Sequence, residues 1–283
     1  TPDFEKSNCR DRIFTPVLTI HGFLSQAINA DKSCQSAVSQ IIAYMARNGR
    51  EFPSANTAAY CQARSRLPME VLPSLTREVA LNLEKQIPKE WLWRNRHIKI
   101  PDGTTLSMPD TNANQAAYPQ LKSQKKGVGF PIMRVVGIFS LATGALIDCA
   151  MSPYAGKGAG EQTLIRQLLD NFNEGDIFLA DACYHSYFLI AALINKRVDI
   201  VFPKKPSRKT NFSSGERLGS EDHLIELAKP KKPEWMDSFD YDAFPSTITI
   251  RETKVSFHRA GFRDKSKILV TTLTCNKTIT PQD

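Results

Sequence analysis

The stretch GDIFLADACYHSYFLIAALINKRVDIVF, residues 175–202, decides the fold. Its run IFLADA follows Gly175-Asp176 and predicts a short buried strand. A helix is predicted from about Tyr184 to Asn195, and the run from Val198 to Phe202 predicts a second strand. Strands that are joined through a helix run parallel, and such crossovers are right-handed. The stretch therefore predicts a βαβ unit within a sheet.

The residues before this unit predict a meander of three strands and a helix. The strands are expected at His97–Pro101, at Phe130–Leu141 and at Ala145–Met151, with the turn dipeptide Thr143-Gly144 before the third. Residues Glu161–Phe172 place their apolar side chains on one helical face. The resulting order, β-β-β-α-β-α-β, is shared by ribonuclease H-like domains. We therefore expect an α/β (α+β) fold built on a ribonuclease H-like mixed sheet.

Apolar residues at helical spacing predict an all-helical N-terminal domain over residues 1–95. Four helices are expected, the last two from Ala55 to Arg66 and from Pro68 to about Gln86. Arg64 and Arg77 come late in these helices. A DNA-binding helix-turn-helix and an ordinary helical bundle are both open interpretations.

The remaining chain predicts a core over residues 96–203 and a β-rich insertion over residues 204–283. Strands of the insertion are expected at Thr247–Arg251 and Ile268–Leu273. The insertion opens with the basic stretch KKPSRKTNFSSGERLG, for which a solvated loop and a nucleic-acid contact are both open. The cations of this stretch are candidate DNA-phosphate contacts: Lys204, Lys205, Arg208 and Lys209.

The composition is that of a soluble globular protein with excess cations. The 283 residues are 41% hydrophobic, and no apolar run reaches the roughly 18 residues that span a bilayer. No signal segment opens the chain, so we expect a cytoplasmic protein without a membrane partner. The six cysteines form no C-x-x-C pair and predict reduced thiols rather than a zinc site. The net charge of +8 favours a polyanionic partner, with a basic surface kept for solubility as the alternative.

Two aspartates stand at the ends of predicted strands. Asp102 follows the strand that ends at Pro101, and Asp181 closes the run IFLAD. The first and fourth strands of the predicted order are neighbours, so we expect the two carboxylates to converge at one edge of the sheet. Hard oxygen ligands suit Mg²⁺ or Mn²⁺, which support phosphodiester displacement. Taken singly, Asp102-Gly103 also fits a turn, and Asp181 also fits a helix N-cap.

Four segments carry a specific resemblance: IPDGTTLSMPDTNANQAAYPQ (100–120), GFPIMRVVGIFSLATGALIDCAMSPYAGKGAGEQTLIRQLL (129–169), GDIFLADACYHSYFLIAALINKRVDIVF (175–202) and ITIRETKVSFHRAGFRDKSKILVTTL (248–273). They resemble insertion-sequence transposases of the Asp-Asp-Glu (DDE) type, in the family with a β-strand insertion before the last catalytic residue. The leading segment FTPVLTIHGFLSQAINADKSCQSAV is similar to the helical region of that family. The resemblance covers nearly the whole chain.

The resemblance implies that Asp102 and Asp181 are the first two catalytic residues and bind Mg²⁺ or Mn²⁺. It gives no metal role to Asp110 of MPDT, the nearest alternative to Asp102. The family's third carboxylate is a Glu on a helix after the insertion, and no such helix precedes Asp283, so we expect a truncated transposase. The glutamates before that point are not assigned this role: Glu161, Glu216, Glu221 and Glu226.

Two aromatic residues are weaker candidates for DNA contact. His185 could touch the scissile strand or a metal-bound water, and it also fits a structural helix histidine. Trp235 could stack on a flipped base, and it fits a small-core anchor equally well. No P-loop, G-x-G-x-x-G or G-x-S-x-G occurs, which argues against a nucleotide cofactor and a serine hydrolase.

The function implied by the resemblance is cleavage and joining of DNA at the ends of a mobile element. The expected partners are double-stranded DNA of the element ends and the target, with the chain acting as a homo-oligomer on DNA in the bacterial cytosol. Two alternatives stay open. One is a catalytically inactive DNA-binding remnant that inhibits transposition, and the other is a metal-dependent nuclease that needs no partner subunit.

Overall fold

The computed structural model describes residues 12–205, 207–257, 265–275 and 277–281. The chain divides into two compact units between Ser74 and Leu75. The first unit contains three helices within its described residues: α1 (Pro16–Ile28), α2 (Cys34–Arg47) and α3 (Ala58–Ser65). Thr15 and Ser33 cap α1 and α2, because each side chain accepts a backbone N–H of the first helical turn. The predicted amphipathic helices are confirmed.

The core of the first unit is small and aliphatic, with one aromatic pair. Phe14 and Tyr60 lie with their ring centroids 5.9 Å apart. Arg64 is a residue that a DNA-binding helix-turn-helix could expose. In the structure its Cζ lies 4.8 Å from the Phe23 ring centroid, and its guanidinium donates to the Gln26 side chain at 3.2 Å. It therefore serves the packing of this unit.

Helix α4 (Val71–Glu84) contains the division between the units. Its later part packs with the sheet of the second unit, since Ala80 belongs to the sheet's core and Arg77 pairs with Asp148 at 3.0 Å. These contacts explain why the division falls within α4, and the expected domain boundary after residue 95 stays a prediction. None of the described helices is long and apolar enough to cross a bilayer.

The second unit is built on a nine-stranded mixed sheet of strand order β3-β2-β1-β4-β5-β9-β8-β7-β6. Its described helices are short: α5 (Asn112–Ala117), α6 (Glu161–Gln167), α7 (Tyr187–Asn195) and α8 (Ser238–Ala243). The strands are β1 (Ile98–Ser107), β2 (Ile132–Ser140), β3 (Leu146–Pro153), β4 (Ile177–Leu179), β5 (Asp199–Pro203), β6 (Glu216–Gly219), β7 (Asp222–Ala228), β8 (Thr247–Phe257) and β9 (Lys265–Thr271). The expected mixed α/β fold is confirmed.

The main core lies between the sheet and helices α6 and α7. Leu164 and Ile165 of α6, with Leu189 of α7, are fully buried against Phe178 of β4 and Ile200 of β5. Strands β4 and β5 are parallel and β1–β3 form an antiparallel meander, as the sequence predicted. The helices thus hold β4 and its C-terminal end in a fixed place.

Strands β6 to β9 extend this same sheet rather than forming a separate one. The physical reason is that β9 pairs with β5, where Val201 lies opposite Thr271 in an antiparallel ladder. The basic stretch of the expected insertion contains β6, which the sequence did not predict. The expected strands near residues 247 and 268 are present as β8 and β9.

Candidate active site

Asp102 lies on β1, and Asp181 follows the end of the neighbouring strand β4. Strands β1 and β4 run parallel, with Ile98 opposite Ile177 and Lys99 opposite Phe178. Strand β4 ends at Leu179, two residues before Asp181, whereas β1 continues through Asp102. The predicted neighbourhood of these two strands is confirmed, and the convergence of the two carboxylates stays a prediction.

A buried ion pair fixes this register. Lys99 Nζ lies 2.6 Å from Asp176 Oδ2, and both side chains are only 6% exposed. Lys99 also donates to the Asn171 carbonyl oxygen at 2.7 Å. Breaking a buried pair leaves an unpaired charge and costs about 3–5 kcal/mol. The pair therefore holds β1 against the start of β4.

Asp102 lies within β1, not at the exit of the strand as its sequence suggested. The expected strand ended at Pro101, but β1 continues to Ser107 because its polar second half pairs with β2, where Asp102 is opposite Gly137. Asp102 Oδ1 accepts the Gly103 N–H at 2.8 Å. Asp110 lies beyond the end of β1, where its Oδ1 accepts the Gln115 side-chain N–H at 2.8 Å.

Asp181 caps the short 3-10 helix Ala182–Tyr184. Its Oδ1 accepts the Cys183 N–H at 2.8 Å, which is the N-cap geometry that the sequence left open. Capping uses one carboxylate oxygen. Both Asp102 and Asp181 are exposed, and no ion pair within the described part of the chain engages either one. Their negative charges thus face the solvent at this edge.

A third carboxylate, Glu161, lies beside them, although the sequence gave no reason to select it. A Cβ atom added to Gly103 would lie 2.5 Å from Glu161 Cδ, so the glutamate fills the space over this glycine. Cys183 Sγ lies 3.3 Å from Glu161 Oε2. The signal that could have pointed to it is a glycine inside a strand, which often marks the close approach of another group.

Tyr184 reports the negative potential of this cluster. Its side chain is 1% exposed, and Oη has no hydrogen-bond partner among the described residues. Burial raises the pKa of Tyr184 most, and the nearby negative groups, among them Glu161, Asp181 and Asp102, raise it further. The pKa of the Cys183 thiol is raised by burial and by hydrogen bonds to Asp181 and Glu161. The potential at this edge favours a cation.

An open groove beside Asp181 is rich in cations. Its charged lining consists of Asp181, Lys204, Lys205, Arg208, Glu221, Lys254 and Lys267. Lys205, Arg208 and Lys267 lie on this wall without an ion pair in the residues that the structure covers, whereas Lys254 pairs with Glu221 at 2.5 Å. Lys209 is exposed just beyond it. The groove therefore places positive charge next to a carboxylate edge.

Lys204 differs from the other cations of the predicted DNA-contacting stretch. Its side chain is 6% exposed, and Nζ lies 2.8 Å from the buried Glu252 carboxylate. Lys204 follows β5 and Glu252 belongs to β8, so residues that are distant in sequence form this buried ion pair. A lysine paired in this way is less available to a phosphate than Lys205 or Arg208, and its role as a phosphate contact stays a prediction.

His185 is also interior. It is 3% exposed, its ring packs 5.4 Å from the Phe202 ring, and Nε2 lies 3.1 Å from Arg208 Nη1. Burial, followed by the positive charges of Arg208 and Lys205, lowers the pKa of His185 to about 4. The neutral ring accepts the Arg208 hydrogen bond, which favours the structural interpretation, and contact of His185 with DNA stays a prediction.

Trp235 is partly exposed and partly packed against other side chains. It is 49% exposed, its ring stands edge-on to Phe188 at 6.1 Å, and Arg166 Cζ lies 3.9 Å from its ring centroid. One face is therefore covered by protein. The role of Trp235 in DNA binding stays a prediction.

Fold and site together define a ribonuclease H-like α/β domain with an acidic edge beside a basic groove. Residues 93–281 match the family described as Transposase DDE domain. The chain belongs to this family of transposases, and the matched residues include every strand of the sheet. No curated protein matches the chain.

Proposed function

We propose that this chain is the transposase of an insertion sequence, which binds element ends and carries out DNA strand cleavage and strand transfer. The observation that carries the proposal is the position of Asp102 on β1 and of Asp181 just after the neighbouring strand β4, with Asp181 lining a basic groove. Family membership supports it. The proposed substrate is double-stranded DNA at element ends and target, bound by a homo-oligomer in the bacterial cytosol.

Asp102 and Asp181 fit a divalent cation. Both offer hard carboxylate oxygens with no ion-pair partner in the described residues, and Tyr184 Oη stands unpartnered near them. No group of three or more His, Cys, Asp or Glu side chains in the described residues is arranged to hold a metal ion. Mg²⁺ is commonly held by one or two carboxylates, with water and substrate phosphate completing its shell. Bound Mg²⁺ or Mn²⁺ supplies activation of the attacking oxygen and charge stabilisation of the leaving one.

The proposed path of the DNA backbone follows the groove. Lys205, Arg208 and Lys267 offer cations along it, which attract phosphates without regard to base sequence. Asp181 lines the same groove, and Asp102 lies on the strand next to β4. A phosphodiester that follows the groove would therefore pass Asp181, with Asp102 as the second proposed carboxylate.

The decisive experiment measures Mn²⁺ binding to the 283-residue chain by electron paramagnetic resonance. Asp102→Asn and Asp181→Asn should each weaken binding by about tenfold or more, since each removes a charged ligand. The control is Asp170→Asn, which alters a surface carboxylate paired with Lys196 and should leave affinity unchanged. Wild-type affinity in both site variants would overturn the metal site.

Strand cleavage gives the second readout. In the product of the whole reading frame, the same two variants should lose Mg²⁺-dependent cleavage while duplex affinity stays within about twofold, because no phosphate contact is removed. A cleaving Asp102→Asn protein would contradict the proposal. If neither the wild type nor the variants bound duplex DNA, the groove would not be a DNA-binding surface.

A further inference from the structure

We propose that Glu161 is a positioning residue that holds Asp102 and Asp181 in their relative places, an inference that rests on the function proposed above. Glu161 is the first residue of α6, and it touches the neighbours of both aspartates. Its side chain connects β1 with the 3-10 helix that follows Asp181. Its role is argued from these two contacts and from the anchoring of α6.

The contact with β1 depends on a missing side chain. A Cβ atom at Gly103 would lie 2.5 Å from Glu161 Cδ and 2.8 Å from Oε1, distances that real contacts do not reach. Gly103 is not in the left-handed region of backbone space, so what a side chain here would meet is the flexible end of Glu161, which it would push aside. Because the Gly103 N–H donates to Asp102 Oδ1, a shift of this backbone moves the Asp102 carboxylate.

The contact with the 3-10 helix after Asp181 involves two successive residues of α6. The Cys183 S–H donates to Glu161 Oε2 at 3.3 Å, and the Gln162 side chain donates to the Cys183 carbonyl oxygen at 2.7 Å. The N–H of the same cysteine donates to Asp181 Oδ1. The start of α6 therefore holds both ends of the residue that orients Asp181.

Helix α6 is rigid enough to act as this anchor. Leu164 and Ile165, one turn after Glu161, are at most 1% exposed and belong to the main core. Because α6 is packed into the core, the Glu161 side chain at its start keeps a fixed position relative to Gly103 and Cys183. Residues that orient ligands without binding the metal typically alter metal affinity by about 10–100-fold when replaced.

The test uses Mn²⁺ alone as the probe, with binding and spectral line shape followed by electron paramagnetic resonance. Glu161→Ala should weaken Mn²⁺ binding by about tenfold and broaden the bound-state signal. Glu161→Gln should stay within about threefold of wild type, because its amide oxygen still accepts the Cys183 S–H and fills the space over Gly103. Equal losses in the Gln and Ala variants would overturn positioning, since charge alone would then matter.

A double-mutant cycle tests the contact with Gly103 separately. Gly103→Ala should weaken Mn²⁺ binding about tenfold in the wild-type background, where the methyl group displaces Glu161. In the Glu161→Ala background it should cause no further loss, because the space is then open. Additive losses would overturn the inference. Glu174→Ala, which removes an exposed carboxylate paired with Arg197, is the control and should change nothing.

The outcomes separate this inference from the proposed function. Unchanged Mn²⁺ binding in Asp102→Asn and Asp181→Asn would refute the metal site itself. Weakened binding in those variants with an additive Gly103–Glu161 cycle would refute the positioning role alone. Thermal unfolding of each variant, followed by the fluorescence of its tryptophans, excludes global unfolding as the cause, and Glu161→Gln supplies the test if Glu161→Ala does not fold.

Discussion

His185 shows how the interior of this protein sets the charge of a single residue. Burial and the cations of Arg208 and Lys205 lower its pKa from 6.5 to about 4. Since the unfolded chain then binds more protons than the folded chain between about pH 6.5 and pH 4, the free energy of unfolding falls as the pH is lowered through this window. His185 is therefore neutral in the folded protein at pH 7.

Replacing His185 by Gln should remove this pH dependence. Wild type should lose on the order of 2–3 kcal/mol of stability between about pH 6.5 and pH 4 that the variant does not lose. Urea unfolding followed by tryptophan fluorescence measures it, because all three tryptophans lie in the second unit. His21→Gln is the control and should keep the wild-type slope. A variant that keeps this slope as well would show that His185 is charged in the folded state.

Residues whose partners are distant in sequence were the hardest to interpret from sequence. Lys204 pairs with Glu252, and Asp222 with Arg251 at 2.5 Å, so these four charged side chains are interior. Hydrophobic periodicity records apolar burial but carries no information on which charges will pair. Asp102 and Asp181 could be selected because each follows or closes an apolar run. Glu161 could not, because only the folded chain brings it to Gly103.

At the scale of elements, tertiary pairing extended what local pattern predicted. The apolar runs of β2, β3, β4 and β5 located these strands correctly, as did the continuous apolar face of α7. The second half of β1 is polar and lies beyond the strand expected over His97–Pro101, yet it is strand because β2 supplies its hydrogen bonds. Asp102 therefore lies in a strand because β2 pairs with this part of the chain.

Helices α2 and α3 place two thiols close together. Cys34 Sγ lies 3.7 Å from Cys61 Sγ, and Cys34 Sγ also accepts from the side chains of Gln26 at 3.7 Å and Arg64 at 3.8 Å. The Cys61 S–H donates to Cys34, which raises the pKa of Cys61. Because the two sulfurs lie this close and Cys61 is exposed, the pair is a candidate for oxidation to a disulfide.

Mild treatment with hydrogen peroxide should therefore join Cys34 to Cys61. The two thiols lose two protons and two electrons, and the peroxide is reduced to two waters. The disulfide would tie α2 to α3 and stabilise the first unit by about 3 kcal/mol if strain is small. Peptide mapping without reductant and thermal unfolding measure the link and its effect. Cys61→Ser is the control, and cross-links that avoid this pair would refute the prediction.

At the scale of the whole molecule, acidic and basic side chains occupy separate, neighbouring surfaces. The acidic edge at Asp102, Glu161 and Asp181 stands beside a groove whose wall carries Lys205, Arg208 and Lys267. Net charge predicted a polyanionic partner, but it could not locate the groove, since Lys267 comes from β9 and Lys205 from the segment after β5. Chain topology brings them together. Affinity for DNA should then arise mainly from the release of counterions.

The dependence of duplex DNA affinity on salt tests this arrangement. Log affinity should fall linearly with log salt, and Lys205→Ala with Lys267→Ala should reduce the slope by about 2, close to one unit per lost phosphate contact. Lys196→Ala with Arg197→Ala removes the same net charge from residues already paired with Asp170 and Glu174, so it should leave the slope nearly unchanged. Equal slopes for the two double variants would place the DNA on a different surface, because net charge rather than the groove would then determine binding.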